Sequence, residues 1–234
     1  MIHQVLNGDC LEVLRGMADN SVDSIVTDPP AGIAFMGKEW DRDKGGRDAW
    51  IAWMRSVAAE CLRVIKPGGH AFVWAIPRTS HWTGMAWEDA GWQPRDKCYH
   101  IFGSGFPKSH NLSGEWNGWG TALKPAAEEW WLFRKPLAGT VAANVLAWGT
   151  GALNVDGCRV GDDVVGWGGG QGGSPDPTQS KGRNYRMAAG EARPVTGRWP
   201  ANLVLSYPED EYQLKDHITP QQLSKLAEWM NENS

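Results

Sequence analysis

Three consecutive segments restrict what this chain can fold into. Residues 22–27 form a short, largely apolar run that ends in Asp28-Pro29-Pro30. Residues 48–64 repeat Trp50, Trp53, Met54, Val57, Cys61 and Val64 at helical spacing, and Lys66-Pro67-Gly68-Gly69 stops the repeat. Residues 71–76 are continuously apolar, the pattern of a strand covered on both faces. Ahead of them, 4–6 reads as a strand and 10–17 as a helix capped by Asp9. Strand and helix alternate, which predicts a doubly wound α/β sheet. In such sheets ligands sit beyond the carboxyl ends of the strands, where Asp28 stands.

Further along, 82–91 reads as a helix, 97–102 and 128–133 as strands, 140–146 as a helix and 199–205 as a strand. Segment 32–48 is rich in Gly and charge and reads as a long, functional loop. Segment 161–198, rich in Gly, Pro, Ser, Gln and Arg, reads as a second, flexible loop. A last amphipathic helix follows Thr219-Pro220 through Leu223, Leu226 and Met230. The expected organisation is a catalytic domain over 1–206 and an acidic helical segment over 207–234.

The net charge of −4 lies entirely in that last segment, where six acids face Lys215 and Lys225. Residues 1–206 are neutral by count, so a local basic face is compatible with an acidic chain. Cysteines 10, 61, 98 and 158 are far apart, which argues for reduced core thiols rather than a disulfide framework, and no metal site is expected. No apolar run approaches the roughly 20 residues that span a bilayer, and the N-terminus lacks a signal-peptide pattern. These features predict a soluble, cytoplasmic protein. Fifteen tryptophans suit a thick core, and also surfaces that stack on planar rings.

The Asp28-Pro29-Pro30 turn carries the chemistry. Proline has no N–H, so the segment offers a carboxylate and carbonyls and almost no donors. Such a mouth suits a ligand presenting N–H groups, an exocyclic amine on a nucleobase among them.

Asn7-Gly8-Asp9-Cys10, the run 22–27 and Asp28-Pro29-Pro30 together resemble the opening of amino-methylating DNA methyltransferases, in the β-type motif order. Later stretches agree with phage and bacterial members. They are Glu60-Cys61-Leu62-Arg63-Val64-Ile65-Lys66-Pro67-Gly68-Gly69, Gly105-Phe106-Pro107-Lys108-Ser109, Leu123-Lys124-Pro125-Ala126, Arg134-Lys135-Pro136-Leu137 and the segment from Gly149 to Cys158. The resemblance implies a Rossmann-like methyltransferase sheet flanked by helices, with a long Gly/Arg-rich loop. It implies S-adenosylmethionine as cofactor, double-stranded DNA as partner and a bacterial or phage-infected host cell as setting. A homodimer or a companion subunit is left open. Asp28, Pro29 and Pro30 take the catalytic role, accepting the two amine N–H groups as preorganised transition-state stabilisation. Asp at the head of the motif implies adenine, since members acting on cytosine usually carry serine there. Asp9 and Cys10 correspond to the cofactor site, Asp9 doubling as a helix cap.

Two departures stand against the resemblance. Ala31 occupies the place of the aromatic that stacks on the flipped base, a contact worth about 1–3 kcal/mol. Phe35 or Trp40, just beyond, could supply the face instead, or simply anchor the loop. The family's C-terminal Asp-Pro-Phe and Gly-rich donor loop is also missing, which leaves the completeness of the sheet open. Gly149-Thr150-Gly151 and Pro177-Thr178-Gln179 imitate parts of it. Three readings follow: a self-sufficient adenine-N6 methyltransferase, part of a split enzyme with the donor loop elsewhere, or a non-catalytic DNA- or protein-binding descendant. For DNA contact the expected residues are Lys181, Arg183, Arg186, Arg193 and Arg198, with Lys97 and Lys108 as a second group.

Overall fold

The structure, a computed structural model, describes residues 3–103, 105, 109–165 and 195–206. Helix α1 (Cys10–Arg15) starts at Asp9, whose Oδ1 accepts from the N–H groups of Leu11 (3.0 Å) and Glu12 (3.2 Å). Strand β1 (Val22–Thr27) matches the sequence expectation end to end. Helix α2 (Arg47–Val64) leads directly into β2 (Ile65–Ala75), and α3 (Ser80–Asp89) into β3 (Gln93–Phe102). Then come β4 (Ala127–Arg134) and α4 (Val141–Trp148). The described residues end with β5 (Val160–Val165), β6 (Val195–Arg198) and β7 (Leu203–Ser206).

The main sheet has the order β1-β2-β4-β3-β7. Strands β1 and β2 pair parallel, as do β3 and β7, while β4 runs antiparallel to both its neighbours. Among the described residues, four strands of this sheet therefore point one way and β4 alone is reversed. The α/β class is as expected, and the sheet is mixed because of this one strand. A parallel return requires a crossover, usually a helix. Between β3 and β4 the described residues offer only a 3-10 turn at Gly114–Trp116, so the chain stays at one end and comes back reversed.

The core lies on the α2/α3 face. Trp50, Met54 and Ala58 of α2 and Ala86 and Trp87 of α3 pack on Ala71, Val73 and Phe133 of the sheet. Trp87 stacks on Phe133 (centroids 5.3 Å apart), which stacks in turn on Trp131 (5.4 Å). Much of the tryptophan content is thus core. On the opposite face Phe72 stacks on Trp130 at 5.0 Å, with both rings only half-buried, so β2 is fully covered on one side rather than two.

Two expectations fail, and strand pairing decides both. Residues 4–6 form no strand and are exposed, with Val5 at 92%. Strand β1 is the sheet's edge among the described residues, and 4–6 do not pair with it. The expected loop 161–198 is strand at both margins, because β5 and β6 pair antiparallel with each other. Its centre, and the terminal helix expected over 219–230, lie outside the described residues.

Candidate functional site

Strand direction puts the carboxyl ends of β1, β2, β3 and β7 and the start of β4 at one end of the sheet. A cavity of about 850 Å³ opens there, within the size range of small-molecule sites. Asp28, Pro29, Pro30 and Ala31 form one wall as β1 ends. Trp74, Ile76, Pro77 and Arg78 enter from the end of β2, and Phe102 and Gly105 from β3. Residues 122–125 and Glu128, at the start of β4, close the far side.

The Asp28 carboxyl is held above the ordinary carboxylate range, first by burial and then by the negative charges of Glu128 and Asp41. Three acids thus share one mouth with two prolines that donate nothing. The arrangement suits ligands that present N–H groups or positive charge.

The loop after Pro30 is held by a residue that the sequence did not reveal. Asp41 is 1% exposed, and its carboxylate accepts three backbone N–H groups. Oδ1 takes those of Ala31 (2.6 Å) and Gly32 (3.1 Å), and Oδ2 takes that of Phe35 (2.7 Å). The Asp41 carbonyl also accepts from Ala34 at 2.7 Å. From the other side, Thr79 Oγ1 donates to the Ala31 carbonyl at 2.8 Å. The clamp holds Ala34 (φ 52°) and Met36 (φ 51°) in the left-handed region, which L-residues rarely occupy. Gly32 (φ 72°) sits so close to Trp50 that an added Cβ would lie 2.8 Å from its indole nitrogen. Phe35 and Trp40 reach the cavity from this loop, Trp40 being 58% exposed.

The structure therefore brings together Asp28, Pro29, Pro30, Ala31, Phe35 and Trp40. It does not bring Asp9 or Cys10 to them: both are exposed, Asp9 caps α1, and neither lines the cavity. Arg198 is exposed at the end of β6, whereas Lys181, Arg183, Arg186, Arg193 and Lys108 lie outside the described residues. Lys97, expected as a second DNA contact, is engaged internally. Its Nζ lies 2.7 Å from Glu129 Oε2 and 4.0 Å from the centre of the Trp131 ring.

Gly149-Thr150-Gly151 is a structural tie at the opposite end of the sheet. Thr150 Oγ1 donates to the Pro67 carbonyl at 2.6 Å. The buried Asn144 donates to the carbonyls of Pro67 (2.8 Å) and Thr150 (2.7 Å). Asp41, Glu128, Thr79 and Trp74 are the cavity residues and supports that sequence reasoning missed. For Glu128 a signal existed, since a strand beginning Glu128-Glu129 must turn one carboxylate to each face. Among the described residues, no group of His, Cys, Asp and Glu is placed to hold a metal ion, and no helix is long and apolar enough to cross a membrane.

A cavity lined by three acids, two prolines, aromatic rings and the cations Arg78 and Lys124, at the carboxyl end of a mixed sheet, defines an α/β protein with a candidate small-molecule site. The family described as DNA methylase matches residues 22–147, more than half of the chain, and the chain belongs to that family. Type II methyltransferase M.BamHI of Bacillus amyloliquefaciens is 38% identical over 78 residues, covering 32% of this chain and 18% of that protein. Type II methyltransferase M.HindIII of Haemophilus influenzae is 24% identical over 205 residues, covering 66% and 65%. A DNA modification methylase of Thermus thermophilus, solved with S-adenosyl-L-methionine, is 18% identical with a TM-score of 0.41, covering 55% and 51%. The chain spans less than a fifth of the length of M.BamHI and of M.BglII, another type II methyltransferase that it resembles.

Proposed function

We propose that this chain is the catalytic part of a site-specific DNA methyltransferase that transfers a methyl group from S-adenosylmethionine to the exocyclic amine of adenine. One observation carries the reading: Asp28-Pro29-Pro30 closes a strand at a cavity of about 850 Å³ whose walls combine three acids, aromatic rings and the cations Arg78 and Lys124. The amine's lone pair is delocalised into the ring, so it is a weak nucleophile. Accepting one N–H at the Asp28 carboxylate and the other at the Pro29 carbonyl localises that lone pair as nitrogen becomes tetrahedral. The groups are fixed beforehand, so they need not reorganise during reaction. Asp28 is placed to take the proton that the methylated nitrogen gives up. Asp28 rather than serine at this position favours adenine over cytosine.

The acids Asp28 and Glu128 fit the positive end of the methyl donor, and the mouth they share would hold it, while Asp41 is occupied by the loop amides. When bound, the donor would supply an electrophilic methyl carried on a sulfonium, and its transfer would leave a neutral thioether. Phe35 and Trp40 offer the flipped base a ring that Ala31 lacks. Arg198, and beyond the described residues Lys181, Arg183, Arg186 and Arg193, supply cations for phosphate contact.

A second reading is favoured by a specific observation. Asp9 and Cys10 stand outside the cavity, and β1 offers an unpaired edge among the described residues. On that reading the donor's adenosine is held with the help of another segment or a companion chain. The test is transfer of labelled methyl to duplex DNA, run beside calorimetric titration with S-adenosylmethionine. Transfer that disappears in Asp28→Ala supports the first reading. Transfer and heat that appear only with a companion chain select the second. Salt-sensitive DNA binding with neither transfer nor heat under any pairing refutes both.

A further inference from the structure

Between β3 and β4, at the same end of the sheet as Asp28, the chain forms a small hairpin over residues 109–121. Its two sides are tied by backbone and hydroxyl groups. Asn111 pairs with Gly120, the Leu112 N–H donates to the Trp119 carbonyl at 2.9 Å, and the Thr121 N–H donates to Ser109 Oγ at 3.0 Å. At the tip, the N–H groups of Asn117 and Trp119 donate to the carbonyls of Gly114 (3.1 Å) and Trp116 (3.0 Å). The hairpin is thus ordered by its own hydrogen bonds and needs no apolar anchor.

It nevertheless presents two indoles to solvent. Trp116 is 54% exposed and Trp119 61%, their rings edge to face with centroids 5.3 Å apart. A large aromatic side chain offers roughly 150–250 Å² of surface, so the exposed part of the pair amounts to a few hundred Å². A stable protein partner covers about 800 Å² per side, more than this tip provides. Stacking on nucleobases needs far less area, because each ring face that meets a base contributes by itself. The segment leaving the hairpin, residues 122–125, is itself a wall of the Asp28 cavity. The rings therefore stand a few residues along the chain from where an extruded base would enter.

We propose that the 109–121 hairpin is a wedge that places Trp116 and Trp119 against the bases flanking the target, filling the stack that the flipped base leaves. This rests on the DNA methyltransferase reading and adds to it the element that keeps the duplex open. Apolar side chains inserted at base steps act in this way in other DNA-bending proteins.

The experiment uses the full chain and a labelled duplex carrying a mismatched 2-aminopurine, which needs no knowledge of the recognition sequence. Binding is read by anisotropy and base extrusion by 2-aminopurine fluorescence, for the wild type, Trp116→Ala/Trp119→Ala and Trp116→Phe/Trp119→Phe. The expected result is binding weakened about tenfold or more and loss of the fluorescence rise in the alanine variant, on the scale of base–aromatic stacking. The phenylalanine variant retains most of both. Equal binding and equal fluorescence in the alanine variant would overturn the wedge while leaving the methyltransferase reading intact. A wild type that binds no duplex at any salt concentration would overturn both. An alanine variant that fails to fold would also overturn the wedge, since it would show that the rings serve packing. Loss of self-association or protein binding, with duplex binding unchanged, would assign the tip to a protein partner instead.

Discussion

Replacing Asp41 tests whether the loop behind Asp28-Pro29-Pro30 is held or merely happens to lie there. Its carboxylate accepts from Ala31, Gly32 and Phe35 at 2.6, 3.1 and 2.7 Å, and the side chain is 1% exposed. Hydrogen bonds to a charged group contribute about 1.5–3 kcal/mol each. Three bonds to one carboxylate are not additive, and amides freed in a half-buried loop regain water. Asp41→Ala is therefore expected to cost about 3–4 kcal/mol. Asp41→Asn keeps one acceptor oxygen but turns an NH₂ group towards a backbone donor, and should cost about half as much. Against the clamp stands the strain at Ala34 and Met36, about 1–2 kcal/mol per residue in the left-handed region. The two are of similar size, so without the clamp the loop relaxes rather than persisting by itself. For a chain of this length about 1 kcal/mol corresponds to roughly 2–4 °C in Tm. The assay is thermal unfolding combined with hydrogen exchange at the amides of Ala31, Gly32 and Phe35. Loss confined to the loop would appear as faster exchange there with a smaller drop in Tm. Unchanged protection of these amides together with an unchanged Tm in Asp41→Ala would refute the reasoning.

Other consequences follow from the same site. Glu128→Gln removes the larger of the two charges that raise the Asp28 carboxyl, so the acid limb of the pH–rate profile should move to lower pH; a shift upward, or none, contradicts the shared mouth. Because the folded-state value of Asp28 lies above the ordinary one, its favourable contribution is complete below the ordinary carboxylate value and is lost as pH rises through the folded value. Asp28→Asn, which resembles the protonated form, should therefore be inactive yet more stable than wild type at neutral pH, with the difference vanishing in acid melts. Gly32→Ala combines a positive φ with a contact to Trp50, so it should displace the loop and lower both Tm and activity; a neutral outcome would show that the loop adapts freely. Ala31→Tyr should tighten duplex binding or raise turnover, and no change in either would mean that another ring already supplies the stack.

What could be read in advance was what periodicity controls. The run at 22–27 became β1 without error, and the Trp50–Trp53–Met54 repeat became α2 within one residue, because each buries a face that its own pattern defines. Strand direction was hidden. The positions of β3 and β4 were legible, but the reversal of β4 depends on what the chain does between them. Strand status at 4–6 was misread because pairing, not local preference, decides whether three apolar residues become a strand. At the site, Asp28-Pro29-Pro30 announced itself because proline restricts both backbone angle and donor count. Asp41 gave no such sign. It stands among Glu39, Arg42, Asp43 and Lys44, where an acid reads as solvated, and only closure of the loop reveals three amides converging on it. Lys97 failed in the opposite sense: its charge looked free in sequence, but pairing of β3 with β4 sets Glu129 and Trp131 beside it.

The two ends of the sheet divide stability from chemistry. At the amino end, Asn144 uses both amide groups on the carbonyls of Pro67 and Thr150 and the N–H of Ala138, and Gly68 is packed so closely that a Cβ would lie 2.5 Å from Asn144 Nδ2. Every polar group of that side chain is matched, which is the condition under which buried polar contacts rigidify. At the carboxyl end the opposite holds: acids repel one another, Ala34 and Met36 are strained, and aromatic rings face solvent. The charge beside Asp28 and the exposed rings are not explained by folding, since a neutral residue at 28 and polar residues in place of the rings would be more favourable in the free chain. They are explained if a positively charged donor and an amine-bearing base enter the cavity, because each then meets a partner: carboxylates for N–H and cation, rings for a base. The rigid end allows this, since the repulsion around Asp28 is held against a sheet whose other end has no slack to give.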